Sequence, residues 1–156
     1  MITLKLDNID KKILHHLQLD GRMSIAALAR AVNLSSSPCF ERVKRLEQQG
    51  YIEGYYAKLS AKKLALGLLV FVQIRLDRTS NDIFKRFKAS VLLMDEVIEC
   101  HLVSGNFDYL IKARVKDMDA YRILLGETLL KLPGVQESTS YVVMEQLKES
   151  VKLPMN

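Results

Sequence analysis

Hydrophobic spacing in this chain changes character once. Up to about residue 50 the apolar side chains recur every three or four positions, and from Leu68 they begin to alternate. A stripe at helical spacing buries one side of a helix, whereas alternation buries one side of a sheet. Residues 1–60 are therefore predicted to form a helical domain, 57–67 a linker and 68–150 an α+β domain. Domains of roughly 60 residues bury only a modest core and are marginal alone. Association with further copies is expected to help.

Three helices are legible in the first part. Asp7 is the expected cap of a helix with Asp10 three residues on, and Ile9, Ile13, Leu14 and Leu17 make its stripe up to Asp20-Gly21. Ser24 caps a second, in which Leu28 and Val32 repeat beside a small Ala29. After a hinge at Asn33-Leu34, Ser35 caps a third helix, with Pro38 in its first turn, where a missing N–H breaks no helical bond. Cys39, Val43 and Leu46 form its apolar face. Ser36, Ser37, Glu41, Lys44 and Arg45 face outward, with Arg42 at the margin. Hydroxyls and cations on a helix that fits the major groove can meet phosphates and base edges. An aromatic, extended stretch, Tyr51 to Ala57, reads as a short wing or linker strand. The pattern is that of a winged helix-turn-helix, and the alternative for the isolated pair is an ordinary solvated helix pair with a basic face.

The second part reads βαββαβ. Val70, Val72, Ile74 and Leu76 share one strand face, and Phe84, Phe87, Val91 and Met94 give a helix over 81–94. VIECHLVSG and FDYLIKARV flank Gly105-Asn106 as a hairpin. Asp117 caps a helix carrying Tyr121, Leu124, Leu125, Leu129 and Leu132, which Pro133-Gly134 ends before a strand over 135–148. This is the ferredoxin-like order, an antiparallel sheet with both helices on one face. In the last strand Tyr141 and Val143 alternate with Val142 and Met144, so both faces carry apolar groups. A second copy of the chain is the simplest cover for the open face.

Charge and cysteine usage narrow the class. Residues 1–60 hold nine Lys or Arg against six Asp or Glu, and the remainder fourteen against twelve. The excess in the smaller part mildly favours double-stranded DNA as its partner. Cys39 and Cys100 sit in apolar patterns, as small hydrophobes of a reducing compartment do. With no long apolar span and no signal-peptide pattern, a cytoplasmic protein without membrane contact is expected. His15, His16 and His101 form no ligand or nucleophile-base spacing, so neither a metal site nor an enzyme is expected.

The hairpin turn is the candidate binding site. Backbone amides freed around Gly105 can accept a carboxylate, and Asp108 can meet an ammonium, which together suit a zwitterion. Leu102, Met118, Tyr141 and Val143 are candidates for an apolar pocket beside it. The alternative is a polar turn stabilised by the Asp108 side chain.

The chain resembles the leucine-responsive/asparagine-responsive family of feast-and-famine regulators over essentially its whole length. The residues that carry the likeness are LDNIDKKIL at 6–14, SSSPCFERVKRLEQQGYI at 35–52, LLVFVQI at 68–74, ECHLVSGNFDYL at 99–110, LLGETLLKLPGV at 124–135 and YVVME at 141–145. The resemblance implies a sequence-specific transcriptional regulator with a RAM/ACT-like C-terminal domain. It implies homodimers assembling into rings, commonly octamers, with no cofactor but an amino-acid effector, leucine or another aliphatic one. DNA contacts are implied at Ser35, Ser36, Ser37, Glu41, Arg42, Lys44 and Arg45. Effector contacts are implied at Leu102, Gly105, Asn106, Asp108, Met118, Tyr141, Val142 and Val143, with DNA affinity following changes in assembly.

Departures from the family pattern fall at informative places. SSSP opens the reading helix, Phe40 stands where a smaller aliphatic is common, and Asn106 stands where an acidic residue is usual. The arm before Leu6 holds only Lys5. The other reading of the whole chain is an amino-acid-sensing oligomer that acts mainly through protein contacts or as a nucleoid-associated architectural protein.

Overall fold

The computed structural model describes residues 6–77 and 82–155 and divides into two units. The first contains helix α1 (Asn8–Leu19), α2 (Ile25–Ala31) and α3 (Ser36–Gln48). Their apolar stripes meet in one core, in which Ile13, Leu28, Cys39 and Leu46 are completely buried. Each such aliphatic side chain contributes about 1.5–3 kcal/mol relative to exposure.

The ends of these helices follow from specific residues. Asp7 accepts the Asp10 amide at 2.8 Å while Asp10 accepts the Asp7 amide at 3.2 Å, a reciprocal capping box. The Ser24 hydroxyl accepts the Ala27 amide at the start of α2. Asn33 adopts a left-handed φ of 58°, and the Asn33 and Leu34 amides close back on the Arg30 and Ala29 carbonyls. That double closure is a Schellman ending, and asparagine tolerates its left-handed position. The turn between α2 and α3 is thus built by the end of α2 itself. Gly50, at φ 74°, ends α3 in the same way, with Gly50 and Tyr51 bonding to Glu47 and Leu46.

The expected wing strand is not a strand. Residues 52–60 join no ladder; instead the Tyr55 hydroxyl donates to Glu47 of α3 at 2.9 Å. Burial, then the Glu47 carboxylate, push the Tyr55 phenol up to about 12, so it stays a donor at neutral pH.

The second unit runs from Leu59 to Leu147. Strands β1 (Leu68–Leu76), β2 (Val97–Leu102), β3 (Tyr109–Val115) and β4 (Val135–Val142) form one antiparallel sheet in the order β2-β3-β1-β4. Helices α4 (Ile83–Val91) and α5 (Met118–Ile123) follow β1 and β3. Val70, Val72, Ile74, Ile111 and Ala113 meet Phe87, Tyr121 and Leu129 in the core. This is the expected ferredoxin-like α+β arrangement.

Three details differ from the sequence expectation. After Ile123 the helix widens into a π turn over Leu124–Thr128 and tightens to a 3-10 turn over Leu129–Lys131. Leu124 and Leu129 are both buried and lie five residues apart; the Leu129 amide reaches back to the Leu124 carbonyl, and a π turn brings such a pair onto one side. Strand β4 stops at Val142, not 148, after Val143 makes a last bond to the Leu69 carbonyl. The domain boundaries also shift: residues 59–67 belong with the sheet unit, and residues from Lys148 onward belong with the helical unit. There Leu153 exchanges two hydrogen bonds with the Gln18 side chain, at 2.6 and 3.2 Å, and Met155 packs on the helical core. The arm with Lys5 and the expected helix start at 81 lie outside the described residues.

Candidate functional site

The face of α3 opposite its core stripe is exposed at Ser36, Ser37, Phe40, Glu41 and Lys44. Ser35 sits in the extended cap position, but its hydroxyl makes no cap bond. Phe40 and Lys44 border a recess of about 350 Å³ whose apolar walls include Leu17, Met23, Ile25 and Tyr55.

Arg42 and Arg45 are placed differently from these. They are three residues apart, on the flank of α3 that meets α1. The Arg42 guanidinium bonds Asp7 at 2.6 Å and Asp10 at 2.8 Å, and Arg45 Nη2 meets both Asp10 oxygens at 2.6 and 2.7 Å. Asp10 is 3% exposed. The Asp10 amide, followed by the Arg42 guanidinium, holds the Asp7 carboxyl below its ordinary value, and Asp7 and Asp10 raise Arg42 in return. Sequence reasoning saw the two aspartates only as a helix cap.

At the β2–β3 turn the structure brings Gly105, Asn106 and Asp108 together around a recess of about 330 Å³, with Arg75, Leu76, Phe107 and Gln136. Gly105 takes φ 147°, a region that disfavours any side chain. Asp108 is 3% exposed, and its carboxylate accepts the Leu76 amide at 2.8 Å where the β1–β4 register shifts. The carboxylate thus satisfies a backbone donor that the irregular ladder displaces. Arg75 donates to the Asn106 carbonyl at 3.0 and 3.2 Å and pairs with Glu137 at 3.0 Å. Its half-exposed guanidinium adds a cation that sequence reasoning missed. The signal available was strand alternation, which puts Arg75 on the face opposite Ile74 and Leu76.

The remaining effector candidates lie elsewhere on the sheet. Leu102 is opposite Tyr109, at the turn end of the edge strand β2, and is exposed. Tyr141 and Val142 lie on the other edge strand, β4, where they pair with Phe71 and Val70 of β1; Val143 bonds Leu69, and Met118 starts the helix after Val115. From the register, Val70 and Ile74 are separated by roughly 13 Å along β1. One chain therefore holds two groups at opposite ends of its sheet, Leu102, Gly105, Asn106 and Asp108 at one and Met118, Tyr141, Val142 and Val143 at the other. On the face away from the helices, Phe71, Leu110 and Tyr141 are flanked by the Glu99–Lys112 pair at 2.7 Å.

No helix among the described residues is long and apolar enough to cross a membrane. Residues 6–53 match the winged helix-turn-helix DNA-binding family, and residues 69–153 match the Lrp/AsnC ligand binding domain. The leucine-responsive regulatory protein of Salmonella typhimurium is 57% identical over 148 residues, 95% of this chain and 90% of that protein. Its Escherichia coli K12 counterpart is 56% identical over the same shares. A Neisseria meningitidis transcriptional regulator solved in complex with L-Met superposes with a TM-score of 0.94 at 39% identity, covering 97% of this chain and 98% of that one. Escherichia coli AsnC superposes with a TM-score of 0.87 at 25% identity, covering 96% and 99%. These relatives are regulators rather than enzymes, and the two matches fall on either side of residues 54–68. The chain belongs to the Lrp/AsnC family of DNA-binding, amino-acid-responsive transcriptional regulators.

Proposed function

We propose that this chain is a sequence-specific regulator whose effector is leucine or another aliphatic amino acid, such as methionine, and whose DNA affinity follows changes in oligomeric assembly. Homodimers would set two α3 helices on half-sites about one helical turn apart, and dimers would join into an octamer. Ser35, Ser36, Ser37, Glu41 and Lys44 form the proposed reading face, with Arg42 and Arg45 on its flank. The relatives' names mention leucine, and the Neisseria regulator holds L-Met.

The observation that carries the assembly-linked reading is the split of the effector candidates between two ends of one sheet. A pocket using both ends needs groups from two subunits. The turn recess would take the polar end of the zwitterion, with Arg75 and the backbone amides around Gly105 near the carboxylate, Asp108 on the ammonium side and Asn106 lining the turn. Leu102, Met118, Tyr141, Val142 and Val143 would take the aliphatic chain. A ligand held between subunits binds one assembly state better than another and shifts the balance by that difference.

Mobility shift on the chain's own promoter region, paired with sedimentation velocity, tests this. Leucine or methionine is expected to change operator affinity and the sedimentation profile over one concentration range. An affinity change with a constant profile would remove assembly from the mechanism.

A further inference from the structure

Of the three cations in α3, only Lys44 projects from the exposed face. Arg42 and Arg45 converge on Asp10, which is buried and belongs to the first turn of α1. Asp10 accepts both guanidinium groups while its other bond holds the Asp7 amide, so two helices and two arginines share one carboxylate. With Asp7, the cluster balances two cations with two anions. For either arginine to leave the cluster for a DNA phosphate, a buried carboxylate would have to give up a charge-assisted bond.

We infer that Asp10 is a positioning residue for DNA reading: it holds Arg42 and Arg45 as struts between α1 and α3, leaving the phosphate contact of this helix to Lys44. The inference rests on α3 being the helix that reads DNA. The arginines then contribute to operator affinity by fixing the pitch of α3 against α1, which presents Ser36, Ser37 and Glu41 to the groove. Their charge is matched by Asp7 and Asp10 within the protein and so releases no counterion from DNA.

Salt dependence separates a strut from a phosphate ligand, because each phosphate neutralised adds about 0.9 to the slope of log affinity against log salt. The test uses the full chain, a duplex from its own promoter region and a shuffled duplex, each titrated over a range of salt. Lys44→Gln is expected to reduce the slope by about one per bound subunit on both duplexes. Arg45→Gln is expected to weaken operator binding roughly tenfold, the scale of one lost specific contact, with the slope unchanged. Asp10→Asn keeps the side-chain shape and releases Arg45, while Arg42 keeps its bond to Asp7. It should strengthen binding to the shuffled duplex severalfold, steepen the slope, and narrow the preference for operator.

A slope reduced by Arg45→Gln as much as by Lys44→Gln would overturn the assignment, as would an Asp10→Asn protein that folds and keeps the wild-type slope. If Asp10→Asn does not fold, by far-UV circular dichroism, the comparison of Arg45→Gln with Lys44→Gln decides alone. Wild-type protein that ignores both duplexes would sink the DNA-reading role of α3 itself, a distinct result.

Discussion

At the scale of single residues, two aspartates, Asp108 buried and Asp7 exposed, do work that their positions in the sequence do not advertise. Asp108 reads as an ammonium partner on a glycine turn, yet it also holds the Leu76 amide. Truncation to alanine would strand that donor, which costs about 1–3 kcal/mol. Asp108→Asn is the cleaner substitution because it keeps an acceptor while removing the charge. It is expected to abolish the leucine or methionine response in a calorimetric titration, with thermal stability lowered only slightly. An Asp108→Asn protein that titrates like wild type would remove Asp108 from the effector site. Asp7 makes a pH prediction. Its folded value is depressed, so its stabilising contribution is complete above its ordinary value of 3.8 and is lost as pH falls below that point. Asp7→Asn should therefore unfold with a weaker pH dependence below about pH 3.8, measured by circular dichroism at 222 nm. Gly134 is constrained twice, by φ 77° and by Ile83, which occupies the place of any Cβ. Gly134→Ala should lose roughly 3 kcal/mol in urea unfolding.

At the scale of elements, hydrophobic period and end signals made most of the fold legible. The stripe Ile13, Leu14 and Leu17, the Ser24 cap and the alternation of Val70, Val72 and Ile74 all landed on the elements they implied. What failed was set by contacts from outside the element. Strand β4 was read too far because Tyr141 to Met144 alternates beyond the last residue that β1 can pair. The segment from Tyr51 is aromatic enough for a strand but has no ladder partner, and Tyr55 ties it to α3 instead. The α5 stripe was legible, but its π turn was not, because only packing shows that Leu124 and Leu129 must share a face. Arg42 and Arg45 read from sequence as DNA contacts, and their bonds to Asp10 were not legible there because it lies more than thirty residues upstream in another helix. The turn that joins α2 to α3 depends on the left-handed Asn33, so Asn33→Val should destabilise the helical unit by roughly 1–2 kcal/mol in the same urea assay.

At the scale of the whole molecule, the sheet unit is inserted into the helical one, since the chain returns to α1 after Leu147. The returning segment, KESVKLPM, has no periodicity, so its docking could not be read from sequence. Its bonds to Gln18 and the burial of Met155 are worth about 2 kcal/mol together. Removal of residues from Lys148 onward should lower the stability of the helical unit by that amount, measured by amide exchange in α1.

The proposed composite effector site also belongs to this scale, because the two candidate groups lie at opposite ends of one sheet and would meet only between subunits. It is tested most directly by mixing subunits. Asp108→Asn damages the turn end and Val142→Lys the far end, and each variant alone is expected to bind no L-methionine or L-leucine by isothermal calorimetry. Co-refolded in equal amounts, the two should recover a fraction of the wild-type sites, because some contacts then join an intact turn to an intact far end. A co-refolded mixture that is as silent as its parents would place the whole site within one chain and contradict the account.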